Sequence, residues 1–175
     1  MSRSVRRSLA GVALAWDGAA LAAPSVVGVL TGHRLGAREA VAVELAGSGA
    51  RIVGLAGGDP GRLETYRRVL GRGDDAYVAF YGFGLLLGVL LLGGRARGAA
   101  VAAVLGAASA DLIENRALER ALRQPLDKPG DPAGADPDAA RARRAAGIKF
   151  GLLVPAVAMS LAGAVRESRH VMPAR

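Results

Sequence analysis

The residues best equipped for chemistry are Asp111, Glu114 and Asn115, near the end of Ala99–Leu118, AAVAAVLGAASADLIENRAL. A helix puts positions i, i+3 and i+4 on one face, so two acids and an amide stack where an apolar stretch meets a boundary. Helical rise sets their depth. Tyr81 and Asp111 each lie about 21 Å from the arginines of the Gly93–Gly98 turn, Arg95 and Arg97. Lys149 lies about 7–8 Å inside Arg144, and Asp111 lies equally far inside Arg116. Tyr81, Asp111 and Lys149, from three separate apolar stretches, therefore reach one level. Glu114 and Asn115 stand about one turn above it, beside Asp75 and Tyr77.

A carboxylate and a lysine with displaced pKa values suit acid/base work. Asp111 and Glu114, with Asp75 or Glu44, also present the oxygen ligands of a hard divalent cation. Lys149 opposes a cation at that place, so no metal and no cofactor is expected. The competing reading is structural. Lys149 pairs with Asp111 or Glu114 to lock two helices, and Asn115 bonds across the bundle. Asp17, after Trp16, is a secondary candidate. It lies about 15 Å of rise from Arg7, which makes it the deepest charge in the chain.

Several chemistries are excluded or disfavoured. Cysteine is absent, which removes disulfides, thiolate metal sites and cysteine nucleophiles. His33 and His170 are far apart and at segment ends, so paired-histidine metal sites and Ser-His catalysis have little support. No nucleotide-binding glycine loop, GxSxG or HExxH motif is present. The net charge of +8 would fit nucleic acid, but aromatic residues are only 4% and no basic face is interleaved with them. No nucleic-acid partner is expected. The Ala, Gly and Arg richness has the style of a GC-rich bacterial genome.

The elements that must position these residues are membrane helices. Hydrophobic residues are 51% of the chain although 22% is charged, so the apolar residues sit in blocks and the charges lie between them. The reading is all-α: a polytopic integral membrane protein, one domain over residues 1–175, with a four-helix transmembrane bundle. Its spans are residues 9–30, 76–92, 99–118 and 145–165, each close to the length that crosses about 30 Å of hydrocarbon. The first span also has a signal-peptide opening, with AALAA as a cleavage region. Pro24 and the apolar run to Leu30 favour a retained helix. Tyr77, Phe80, Tyr81 and Phe83 form an interfacial aromatic belt. Gly84 with Gly88, and Gly147 with Gly151, form two GxxxG pairs suited to close helix contact, including contact with a second copy or a membrane partner.

Residues 31–75 and 119–144 connect the spans. The first holds an amphipathic helical segment. Asp59-Pro60 is a strong helix start, and Leu63, Tyr66, Val69 and Leu70 recur at helical spacing. That helix reads as lying on the membrane surface, with a packed cap over the bundle as the alternative. Arg120–Arg144 contains QPLDKPGDPAGADPD, four prolines and several acids, and reads as disordered or extended. The N-terminus, the GGRARG turn and the tail are basic with little acid. The positive-inside rule makes that side cytoplasmic and both termini internal, in the cytoplasmic membrane with lipid as partner. The expected function is that of a membrane protein with an outward-facing polar pocket between helices, acting on a lipid-like or amphipathic substrate. A transport or binding subunit, or a structural accessory of a membrane complex, is the alternative.

Overall fold

The computed structural model describes residues 5, 8–13, 15–16, 35–72 and 74–169. Asp17, most of the first expected span, His33 and His170 lie outside the described residues. The described residues within 5–16 are helical. They are followed by α1 (Ala37–Glu44), α2 (Gly49–Leu55), α3 (Pro60–Tyr66), a π-helical turn (Arg67–Arg72), α4 (Asp74–Val89) and α5 (Gly94–Asp127). A 3₁₀ turn (Pro132–Ala135) then leads into α6 (Asp136–Arg169). No strand occurs among the described residues.

Two helices, α5 and the stretch Pro132–Arg166, are long and apolar enough to cross a membrane. Only 28% of the apolar window in each is buried. A core helix of a water-soluble protein would be mostly covered, because apolar area exposed to water is unfavourable. Here Phe83, Leu105, Ile113, Ile148 and Val154 all face outward, Val154 at 70% exposure. The helix α4 has 16 residues, short for a span.

Between the long helices the packing is tight. Val78, Tyr81, Leu85 and Val89 of α4 meet Ala100 and Val104 of α5 and Ala156 of α6. The helical N-terminal residues run along α4 and α6. Ala10 packs with Leu91 and Ala164, and Trp16 stacks on Phe80 at 4.7 Å between ring centroids. Trp16 also donates its indole hydrogen to the Phe80 carbonyl at 2.9 Å. The Gly84–Gly88 pair is used within the chain: a Cβ at Gly84 would strike Trp16, and one at Gly88 would strike Ser160. Gly147 and Gly151 face open space.

A second layer caps this bundle. Val43, Ile52, Leu63, Tyr66 and Leu70 bury against Leu118 and Leu122 on the far half of α5, with a floor of alanines. The Asp59-Pro60 helix therefore takes the alternative placement, the cap, and not the expected one on the membrane surface, because Leu63, Tyr66 and Leu70 bury against α5. Its arginines turn outward, where Arg67 and Arg68 each meet Glu64 at 2.7 Å.

Arg120–Arg144 differs from the expectation of disorder. The helix α5 continues to Asp127, and α6 begins at Asp136. The burial comes from small residues: Ala121, Ala135, Ala139 and Ala142, with Leu122, all lie in the cap core. The prolines fall where helices tolerate them. Pro132 opens the 3₁₀ turn, and Pro137 lies in the first turn of α6, where no intrahelical N–H bond is lost. Pro125 is confined to the last turn of α5. Asp136 accepts a hydrogen bond from the Gly49 amide at 2.8 Å, joining the starts of α2 and α6.

Candidate functional site: a buried carboxylate–lysine cluster

Polarity changes at one level on all three long helices. On α5, exposed Ile113 gives way to exposed Arg116; on α6, exposed Ile148 gives way to exposed Arg144; on α4, Asp74 and Asp75 open the first turn. Just inside that level lies Lys149. Its Nζ is 2.7 Å from Glu114 Oε2, 3.2 Å from Asp111 Oδ1 and 3.3 Å from Glu44 Oε2. Tyr81 donates its hydroxyl hydrogen to Asp111 Oδ2 at 2.7 Å. The cluster is closed: Glu114 is 0% exposed, Asp111 2% and Lys149 5%.

The helical register explains this convergence. Asp111, Glu114, Asn115 and Leu118 share the buried face of α5, while Leu112, Ile113 and Arg116 share the exposed one. Four of the residues singled out from spacing therefore meet: Tyr81, Asp111, Glu114 and Lys149. Asn115 and Asp75 form a neighbouring pair. The Asn115 amide donates to Asp75 Oδ1 at 3.3 Å, and Arg116 donates to Asp75 Oδ2 at 2.8 Å. Tyr77 borders the cluster through Tyr81, ring centroids 5.3 Å apart.

Two further members complete the cluster: Glu44, considered from the sequence only as a candidate cation ligand, and Asp74, which the sequence did not single out. Glu44, at the end of α1, enters from the cap and becomes the third acid on Lys149. The sequence offered it as an alternative oxygen ligand in a short amphipathic segment, with nothing to place it on Lys149. Asp74 is the other. Burial, and then the charge of Asp111, push its carboxyl up to about 7, while Lys149 opposes them.

Three carboxylates around one ammonium would leave a surplus of negative charge in a site closed to water. Burying uncompensated charge is costly, and a buried group neutralises by taking a proton instead. Glu44 shows that tendency: burial holds its carboxyl above the ordinary range, against the pull of Lys149. Glu114 shows the complementary need. Both its oxygens are buried; Oε2 faces the Lys149 ammonium at 2.7 Å, yet neither oxygen is in hydrogen-bonding geometry with a donor, and an ionised neighbouring carboxylate has no hydrogen to give. Glu44 is its hydrogen-bonding neighbour, and that bond favours the charged form of Glu44, so a proton on Glu114, donated to Glu44, satisfies the pair.

Lys149 fills the centre of the acids, and no group of three or more acids or histidines among the described residues is arranged to hold a metal ion. What the arrangement can do is hold, share and release a proton beside a lysine. No family model, no curated protein and no solved structure matches the chain.

Proposed function

We propose that the chain is a multi-pass protein of the cytoplasmic membrane with four spans and both termini cytoplasmic. Its outward-facing polar centre exchanges protons with the polar group of a lipid-like or amphipathic molecule. The membrane placement is supported by the outward apolar side chains of α4, α5 and α6. About 24 Å of rise separates Arg97 from Ile113, and about 26 Å separates Ile148 from Val165, near the thickness of a hydrocarbon core. The open Gly147–Gly151 face leaves room for a second copy or a membrane partner.

The observation that carries the proton-exchange reading is the surplus of acid. A helix lock needs one carboxylate for one lysine, and Lys149 has three within 3.3 Å. A second reading, a purely structural lock between cap and bundle, is favoured by the closure of the cluster. Only a proton reaches it unless α1 moves.

The double variant Glu44→Gln/Glu114→Gln separates the two. It leaves Asp111 paired with Lys149 and removes the surplus. Both readings predict a folded protein. Proton exchange predicts that the wild-type protein in detergent takes up protons near neutral pH, measured with an indicator dye, and that the double variant takes up fewer. A lock predicts identical uptake by both.

A further inference from the structure

A groove of about 330 Å³ runs between α5 and α6 on the outside of the bundle, away from the carboxylate cluster. Gly106 and Ile113 of α5 and Ala145 and Ile148 of α6 line it, with Arg141 and Arg144 at its cap end. The linings of each helix follow the i, i+3, i+4, i+7 pattern, so the groove is continuous along both helices. Its volume falls in the lower part of the range of small-molecule sites, about 300–1,000 Å³.

The two arginines distinguish this groove. Both are exposed, and neither has an acidic partner among the described residues. Arg143, between them in sequence, packs against Gly47 outside the groove, while Arg116 holds Asp75 at 2.8 Å and Arg120 holds Asp138 at 3.0 Å. The second groove, between α4 and α5, is of similar size at about 320 Å³, but its cap end carries Asp75, already neutralised by Arg116. Two unmatched guanidinium groups above an apolar trough are complementary to one kind of occupant, an anionic head on a hydrocarbon chain. Guanidinium groups bind phosphate oxygens in pairs, and the trough gives the chain an apolar wall. The position also fits, because the arginines sit where the exposed surface changes from charged to apolar.

We infer that the α5–α6 groove is a seat for one anionic phospholipid of the surrounding bilayer, its phosphate on Arg141 and Arg144 and an acyl chain along Gly106, Ile113 and Ile148. The seat rests on the membrane reading above. It does not require that the carboxylate cluster be active.

The test uses the full chain expressed in membranes and extracted in mild detergent. Native mass spectrometry then follows addition of equal phosphatidylglycerol and phosphatidylcholine. Wild-type protein should retain one phosphatidylglycerol in preference to phosphatidylcholine. Arg141→Gln/Arg144→Gln should weaken that retention about 30-fold, from the usual contribution of a basic side chain near an anionic headgroup. Ile148→Trp, which fills the trough and leaves both arginines, should also reduce it. Arg95→Gln/Arg97→Gln, at the opposite end of α5, should match wild type. Equal retention of the two lipids, or a loss shared equally by the Arg95/Arg97 control, would overturn the seat. So would retention that survives both groove variants. Recovery of the chain in the soluble fraction would instead remove the membrane reading itself.

Discussion

Tyr81 and Asp111 join α4 to α5 through one hydrogen bond of 2.7 Å, and it uses the carboxylate oxygen that Lys149 does not. The tyrosine therefore orients the acid, so that Oδ1 faces the lysine. Hydrogen bonds to charged groups contribute about 1.5–3 kcal/mol, and losing a buried one leaves an acceptor unsatisfied. Tyr81→Phe should lower stability by about that amount in thermal or denaturant unfolding of the detergent-solubilised protein. Combined with Asp111→Leu, which removes the acceptor, the loss should be less than additive, because the two residues share one interaction. Strict additivity would place them in separate environments.

Lys149 responds differently from its partners. Lys149→Met leaves Glu44, Asp111 and Glu114 together without a cation, and breaking a buried pair from one side costs about 3–5 kcal/mol. Asp111→Asn leaves Lys149 with two acids and an amide oxygen that still accepts from Tyr81. It should cost less than about 1 kcal/mol, since it removes surplus charge. Adding Glu44→Gln and Glu114→Gln to Lys149→Met should recover much of the loss. An Asp111→Asn variant as unstable as Lys149→Met would mean that this acid alone balances the lysine.

Asp74 makes stability depend on pH. Its carboxyl is raised from 3.8 to about 7 by burial and by Asp111, with Lys149 opposing and Glu44 adding to the rise. A raised acid binds its proton more tightly in the folded state. Its contribution is thus complete below the unfolded value near 4 and is lost as pH rises through about 7. The slope is at most about 1.4 kcal/mol per pH unit. Unfolding measured from pH 5 to pH 8 should show stability falling with pH, and Asp74→Asn should flatten the profile. A profile unchanged by Asp74→Asn would assign the dependence to other groups.

The orientation is read from two positions. Gly94 has a positive φ of 59°, and a Cβ at Gly134 would meet Gln124, so neither glycine is a good place for a new side chain. Ala96 and Ala133 are exposed at opposite ends of the long helices, and the chain has no native cysteine. In intact cells, Ala133→Cys should react with a membrane-impermeant thiol reagent and Ala96→Cys should react only after lysis. The reverse pattern would invert the protein.

The convergence of Tyr81, Asp111, Glu114 and Lys149 was legible because helical rise converts sequence distance from flanking arginines into depth. That arithmetic works only along one continuous helix. It had no purchase on Glu44, whose short helix reaches the bundle through tertiary packing. The cap was hidden for a related reason. Its core uses Ala117, Ala121, Ala135, Ala139 and Ala142 beside a few large residues, and alanine gives a weak apolar period. Prolines at helix starts then looked like breaks in a disordered linker, when Pro132 and Pro137 mark beginnings.

The central claim is that the acids around Lys149 hold a proton at neutral pH, and that Glu44 and Glu114 share it. Infrared spectroscopy of the protein reconstituted in lipid tests this directly, because a protonated carboxyl has a carbonyl band distinct from that of a carboxylate. The Asp74→Asn background removes an acid outside that pair whose carboxyl is raised to about 7. On that background the account predicts a protonated-carboxyl band at neutral pH that disappears when Glu44→Gln and Glu114→Gln are both added. Absence of the band at neutral pH, or its persistence unchanged when both glutamates are replaced, would contradict it.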